Sequence, residues 1–354
     1  MMAQETVRGF KGLQLKHVEG PDAEIVDLLG HSIVGTEGGL RYSVRDIGER
    51  MGYYGKGLSF IALYKKESLT GVIGLCRRKT ISSGIEYNST FLRYLSFNKS
   101  FQIARVKRRE RKRMSRIEDS FKLQIFSMFS NALRELHMKE NPSEPHIAYA
   151  VIESENERSR NFAYQAGYEY IRSIQTIVFN RFNPVASPDA RKLNPQERPM
   201  MAELLADQYK DYSFYTGEFA FMTDSYYVMS KENEIVAGIS VIPTVFTIQK
   251  IPGFIGWIML NVLPVTPYLK KLIQSGEFRF LVVDSIYCRK GSEHLLPDLF
   301  ESACASEGHY SALTWLDDQS ELYKSISLSR RMGMLNRLLK TESGLVYASF
   351  SNIG

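Results

Sequence analysis

The sequence predicts an α/β protein of two similar halves in tandem, each a mixed sheet flanked by helices. Three observations predict it. Apolar runs of period two alternate with longer runs of helical period along the chain. The order of those runs occurs twice. A proline-rich stretch separates the two copies.

In the first half, Leu13–Val18 reads as a strand, and Asp22–Leu29 and Val44–Met51 read as helices. Phe60–Leu75, "FIALYKKESLTGVIGL", is an apolar run, a charged turn and a second apolar run, the pattern of a β-hairpin. A strand at Phe91–Phe97 follows. Arg116–His137 carries Ile117, Phe121, Ile125, Phe129, Leu133 and Leu136 on one helical stripe, and Ser115 with Glu118 forms a capping box at its start. His146–Ile152 is the next strand, then a short helix, then two strands to Phe182.

The second half repeats this order with a longer apolar insert at 251–275. Its hairpin is Tyr226–Val241, "YYVMSKENEIVAGISV". Gly71 to Gly167 spans 96 residues, and Gly238 to Gly333 spans 95. The copies also finish alike, "IVFNRF" at 177–182 and "LVYASF" at 345–350. Between them, "NPVASPDARKLNPQERP" at 183–199 holds four of the twelve prolines, and proline resists both a continuing helix and a central strand. The expected division is a domain at 1–183, a linker at 184–198 and a domain at 199–354.

With 44% hydrophobic and 24% charged residues in 354, the chain reads as globular and holds enough apolar surface for two cores. The net charge of +6 favours anionic partners such as phosphates, a cofactor or nucleic acid. Cys76, Cys288 and Cys304 are odd in number and far apart, which argues against a disulfide framework and for a reducing compartment. No H-x-x-x-H or C-x-x-C spacing occurs, so no metal site is expected. The most apolar window, Ile251–Tyr268, is broken by Pro252, Pro264 and Pro267, and reads as buried rather than membrane-spanning. The N-terminus lacks a signal-peptide apolar run. A cytoplasmic protein is expected.

The stretch "ENERSRNFAYQAGY", 155–168, is a short amphipathic helix between two strands. Asn156 suits the N-cap, because its short side chain accepts from free amides. Phe162, Ala163 and Ala166 form the buried side, and Gly167 supplies the left-handed turn that ends the helix. Strand, Asn-rich turn, short helix and Gly-aromatic resemble the C-terminal motif of the GNAT (GCN5-related) N-acyltransferase superfamily, N-x-x-[SA]-x-x-x-Y-x-x-x-G-F. Asn156, Ser159, Gly167 and Tyr168 occupy matching positions. The element order of the whole chain is similar to that of a tandem GNAT protein.

The resemblance implies an acyl-CoA co-substrate, with acetyl-CoA as the first expectation, and direct transfer of the acyl group to a small-molecule or peptide amine, without a metal. The family's Tyr seven residues after the Asn, general acid for the departing thiolate, is Ala163 here. Tyr164 stands one place along, rotated by about 100° on a helix, and is the candidate acid. Glu86 and Asp284 are the candidate bases. The family's phosphate loop is Gly-rich, letting main-chain amides and a helix N-terminus meet a pyrophosphate. In the first half that place holds "KRRERKRMSRIEDS", without one Gly. Arg111, Arg113, Ser115, Arg116 and Asn156 are the cofactor candidates there. The run also fits a nucleic-acid patch or a solvated loop, although it lacks the interleaved aromatics that strand-stacking proteins use. In the second half Arg289, Lys290 and Gly291 are the candidates, with Glu293 where a second small residue is usual. Neither half keeps both motifs, so one active and one structural half is the favoured arrangement. The alternative is a catalytically degenerate CoA-binding or interaction scaffold.

Overall fold

The computed structural model describes residues 5–10, 12–35, 39–82, 85–98, 125, 127–132, 144–251, 256, 271, 273–274, 276–338 and 343–351. Among them, fifteen strands form one continuous sheet. The first half contributes β1 (Glu5–Phe10), β2 (Leu13–Glu19), β3 (Arg41–Val44), β4 (Leu58–Lys65), β5 (Ser68–Ser82), β6 (Ile85–Phe97), β7 (His146–Glu153) and β8 (Glu169–Asn180). The remainder contributes β9 (Ala190–Lys192), β10 (Tyr226–Lys231), β11 (Glu234–Lys250), β12 (Ile273–Gln274), β13 (Glu277–Cys288), β14 (Ser311–Asp317) and β15 (Gly344–Ser351). The helices with both ends among the described residues are α1 (Ala23–Gly30), α2 (Ile47–Gly52), α3 (Glu157–Gln165), α4 (Arg198–Gln208), α5 (Leu296–Ser306), α6 (Glu321–Ser327) and α7 (Met334–Leu338).

The order across the sheet is β1-β2-β4-β5-β6-β7-β15-β8-β14-β13-β11-β10-β9. The two halves exchange their last strands. β15 lies between β7 and β8, pairing Val346 with Val151 on one side and Arg172 on the other. β8 in turn pairs with β14, Ile177 opposite Thr314. The likeness of the two closing segments, "IVFNRF" and "LVYASF", is therefore a likeness of two neighbouring central strands. Where two strands are expected from Tyr168 to Phe182, the structure has the single strand β8. No turn-forming residue interrupts "EYIRSIQTIVFN", so it runs on extended, and its neighbours come from the other half.

The segment at 184–198 is more than a connector. β9 within it pairs with β10, Lys192 opposite Tyr227, and Arg191 grips Glu197 through two hydrogen bonds of 2.6 and 2.7 Å. The arms after the first helices also cross over. β3 pairs with the far end of β11, where Tyr42 stacks on Phe246 at 4.1 Å. Residues 212–222 reach back over the first half: Phe214 lies 4.6 Å from Tyr149, and Phe219 meets Tyr54 edge-on at 5.4 Å.

Helices cover both faces of the first-half sheet. α1 is capped by Asp22, whose Oδ1 accepts from Ile25 N at 2.8 Å. It buries Ile25 and Leu29 with Ile47 and Met51 of α2 on one face. The other face packs Leu92, Ala148 and Ile152 against Ala163 of α3 and against Ile125 and Phe129. Those two residues fall in the stretch expected to be the long helix, and 127–132 are helical. In the second half, α5 seals its core with Leu296, Leu299, Phe300 and Cys304. Among the described residues, no helix is long and apolar enough to cross a membrane.

Candidate active site

Each half contains one parallel strand pair that parts along its length. β6 and β7 pair in parallel from Asn88 with His146 to Leu92 with Ala150, and β6 then runs on to Phe97 paired with β5. β13 and β14 pair only at Leu281 with Ala312 and Val282 with Leu313, while β13 runs on to Cys288. Each gap begins near a bulge. The register slips between Val72 and Gly74 opposite β6, and Tyr94 takes a left-handed φ of 58°. The register slips in the same way between Gly238 and Ser240 opposite β13, where Ser285 has a φ of 47°. The extra residue bends its strand away from the next. A Cβ on Gly74 would come within 2.9 Å of the Tyr94 ring, so the bulge requires the glycine. By register, Arg93 corresponds to Asp284, Leu95 to Ile286 and Phe97 to Cys288.

Asn98 N donates to Thr70 O at 2.9 Å, and Arg289 N donates to Val236 O at 2.9 Å. Antiparallel alternation therefore turns the main-chain groups of Leu95, Phe97, Ile286 and Cys288 toward the gaps. In the second half they are met from within. Gln208 Nε2 and Tyr209 Oη each donate to Ile286 O at 2.7 Å, and Cys288 N donates to Gln208 Oε1 at 2.8 Å. The end of α4 thus stands in for the missing ladder partner. Burial pushes the Tyr209 phenol far up, so it remains a donor. In the first half, Leu95 is 40% exposed.

The second-half loop is also self-occupied. Gly291 N donates to Glu293 Oε1 at 3.0 Å, the place a phosphate oxygen takes in a phosphate loop. Arg289 Nη2 bonds Glu234 Oε2 at 2.8 Å, and Lys290 is exposed. Asp284 is exposed and folds back on its own bulge, accepting from Ser285 N at 2.7 Å.

In the first half, Asn156 Oδ1 accepts from Ser159 N at 3.1 Å and so caps α3. Gly167 closes the helix with a φ of 83°. Ala163 is buried in the core, and Tyr164 is 56% exposed beside it. The Tyr164 hydroxyl lies 3.5 Å from that of Tyr347 on β15, with the rings edge to face at 5.2 Å. Glu86 sits at the turn end of β6, away from the gap, in an ion pair of 3.1 Å with Lys79 Nζ. Arg111, Arg113, Ser115 and Arg116 lie outside the described residues. The structure thus gathers Asn156 and Tyr164 on one helix and places Glu86 apart from them, while Asp284, Arg289, Lys290 and Gly291 belong to the second half.

Sequence reasoning passed over Arg78, Arg93, Tyr149 and Tyr347. Both arginines project from the face of β5 and β6 that α1 and α2 cover. The Arg78 and Arg93 guanidinium carbons lie 4.8 and 5.3 Å from the centre of the Phe91 ring. Strand alternation puts Gly74, Cys76 and Arg78 on one face with Phe91 and Arg93, but only the register shows that they meet. Among the described residues, no group of three or more His, Cys, Asp or Glu is placed to hold a metal ion. Burial raises the thiols of Cys76, Cys288 and Cys304, the last two to about 12, which leaves none primed as a nucleophile.

No protein-family model matches the chain, and no curated protein matches it in sequence. Solved structures do match. Saccharomyces cerevisiae N-myristoyltransferase with bound myristoyl-CoA superposes with a TM-score of 0.60 at 10% identity, over 98% of this chain and 85% of that one. The same enzyme with myristoyl-CoA and inhibitors gives 0.59 at 10% identity, over 99% and 83%. A GCN5-related N-acetyltransferase from Anabaena variabilis gives 0.47 at 9% identity, over 94% and 72%. At these identities the correspondence is one of fold. The parted parallel strands and the short capped helix lie within it: over nearly its whole length the chain has a fold similar to that of N-myristoyltransferase.

Proposed function

We propose that the chain is an acyl-CoA-dependent N-acyltransferase whose first half seats the donor and whose second half keeps the fold as support. The contrast between the two gaps carries this reading. In the second half, Gln208, Tyr209 and Glu293 fill the places a thioester and a diphosphate would need. In the first half, Leu95 at the gap is followed twelve positions later in sequence by Lys107–Arg116, in which seven of ten residues are basic. A thioester laid in that gap would find main-chain amides of β6 for the oxygen that becomes an oxyanion. The basic run would hold the donor's phosphates, with Arg111, Arg113, Ser115 and Arg116 as the contacts. Asn156 would act by fixing the mouth of α3.

The amine attacks the thioester carbonyl directly. The C–S bond breaks, the thiolate leaves, and the ammonium proton passes to water, since neither Glu86 nor Asp284 borders the first-half gap. Tyr164, backed by Tyr347, is the proposed proton source for the thiolate. The structures of similar fold were solved with myristoyl-CoA, so the donor chain length must be measured rather than assumed to be acetyl.

Calorimetric titration of the full chain with acetyl-CoA and myristoyl-CoA, followed by thiol release across an amine panel, tests the proposal. Binding with turnover supports it. Binding without turnover on any amine gives the scaffold reading, which the buried Ala163 at the usual acid position favours. No binding of either donor overturns both.

A further inference from the structure

From the chemistry of the face opposite α3, and resting on the acyltransferase reading above, we infer that Arg78 and Arg93 form a subsite for a carboxylate, and that the acceptor is a free amino acid. α3, Ile125 and residues 127–132 cover one face of the parted strands, and Arg93 lies on the other, at the first residue of β6 beyond its pairing with β7. An amine attacking a donor held under α3 approaches from the arginine side.

Both guanidiniums lean on Phe91, Arg93 also lies 4.5 Å from the Tyr94 ring centre, and Arg78 lies 5.2 Å from that of Tyr149. Arg93 Nη1 donates to the Tyr54 hydroxyl. The groups acting on Arg93 are Tyr54, Tyr94 and Cys76, two phenols and a thiol, with no carboxylate among them. The Nε atoms of Arg78 and Arg93 and the hydroxyls of Tyr94 and Tyr149 are buried without an aligned hydrogen-bond partner among the described residues. The Tyr149 hydroxyl sits within reach of the Arg78 guanidinium, and unmet donors on one sheet face are costly to keep. A carboxylate, which accepts through two oxygens and suits the planar guanidinium fork, satisfies them together. Burial pushes the Tyr94 and Tyr149 phenols up to about 12, so both stay protonated donors at neutral pH.

The aromatic walls are contributed by both halves. Phe214 covers Tyr149, and Phe219 lies 5.9 Å from the Arg78 guanidinium. The crossing arm therefore lies over the arginine side of the sheet.

The test uses the full chain, the donor that calorimetry selects, and each standard amino acid beside its own α-amide. Thiol release gives the kcat/KM ratio of acid over amide. The expected result is a ratio well above one for some amino acid, falling about tenfold to a hundredfold in Arg93→Met and in Arg78→Met and partly restored in Arg93→Lys. Circular dichroism and melting of each variant check the fold. Turnover of amines with no preference for the acid, or a ratio unmoved by both substitutions, overturns the subsite while leaving the transferase standing. If nothing is turned over, the melting temperature decides. A rise with an amino acid but not its amide, lost in the methionine variants, keeps the subsite and removes the transferase. No such rise removes the subsite as well.

Discussion

The hydroxyl of Tyr347 lies 3.5 Å from that of Tyr164 although 183 residues separate them in sequence. The contact exists because the chain's last strand is laid between β7 and β8. A fragment ending near residue 183 would lose β14 and β15, leaving β7 as an edge and β8 with no strand partner, and would remove Tyr347, which is 2% exposed, from the core. Residues 1–183 expressed alone are expected to aggregate or to lack near-ultraviolet dichroism, and coexpression with 184–354 is expected to restore a soluble complex. A well-folded, cooperative 1–183 fragment would show that the strand exchange is dispensable.

The same pair makes a catalytic prediction. Tyr164→Phe removes the proposed proton source and keeps the ring against Tyr347. We expect kcat to fall about a hundredfold with the donor's dissociation constant nearly unchanged. Tyr347→Phe, which only supports Tyr164, is expected to cost less. An unaltered kcat in Tyr164→Phe would leave the residue a packing role only.

Much of this architecture was legible from local pattern, and the exchange was not. Hairpins and the α3 cap at Asn156 follow from residue spacing within about twenty positions, and the doubling follows from the recurrence of such local patterns along the chain. Strand partners do not: β8 and β15 carry the same alternation, and nothing local says that each will neighbour the other half. Glu293 stood out in sequence as occupying the place of a small residue, but its bond to the amide of Gly291 depends on how the loop closes. Arg78 and Arg93 are fifteen residues apart on separate strands, and their meeting over Phe91 needs the register of β5 on β6.

Alkaline pH should unfold the protein through its buried phenols. Tyr42 and Tyr149 are raised from 10.0 to about 12, in each case by burial first. The folded state thus holds these protons more tightly than the unfolded chain. The stability they contribute is complete below pH 10 and is lost as pH rises toward 12. The slope is about 1.4 kcal/mol per pH unit for each group. Urea midpoints at pH 8, 10 and 11 should decline steeply over the last interval, and tyrosinate absorbance should appear with unfolding rather than before it. Phenols that ionise freely in the folded protein at pH 10 would contradict the burial.

His146 gives the acid counterpart. Burial pulls it down from 6.5 to about 4, and Thr90 Oγ1 lies 3.0 Å from its Nε2. Here the unfolded chain binds the proton more readily. The contribution is present above pH 6.5 and disappears as pH falls toward 4, on the order of 3 kcal/mol. His146→Gln should flatten the stability profile between those limits, as read from urea midpoints. A profile as steep in the variant as in the wild type would place the acid sensitivity elsewhere.

The filled second gap sets the binding stoichiometry. Gln208 bridges Ile286 O and Cys288 N, and Gln208→Ala would leave the Cys288 N–H unmet while Ile286 O keeps its bond from Tyr209, a loss of about 1–3 kcal/mol in stability. Glu293→Ala, by contrast, breaks only an exposed contact with Gly291 N and should change the melting temperature little. Neither change creates a donor site, because Tyr209 still holds Ile286 O after the first and the whole α4 plug remains after the second. Calorimetry should therefore find one acyl-CoA per chain in the wild type, and still one in Glu293→Ala. A second equivalent taken up by the Glu293→Ala chain would mean that the carboxylate, rather than Gln208 and Tyr209, is what keeps the donor out, and that the second half is a closed site instead of a structural one.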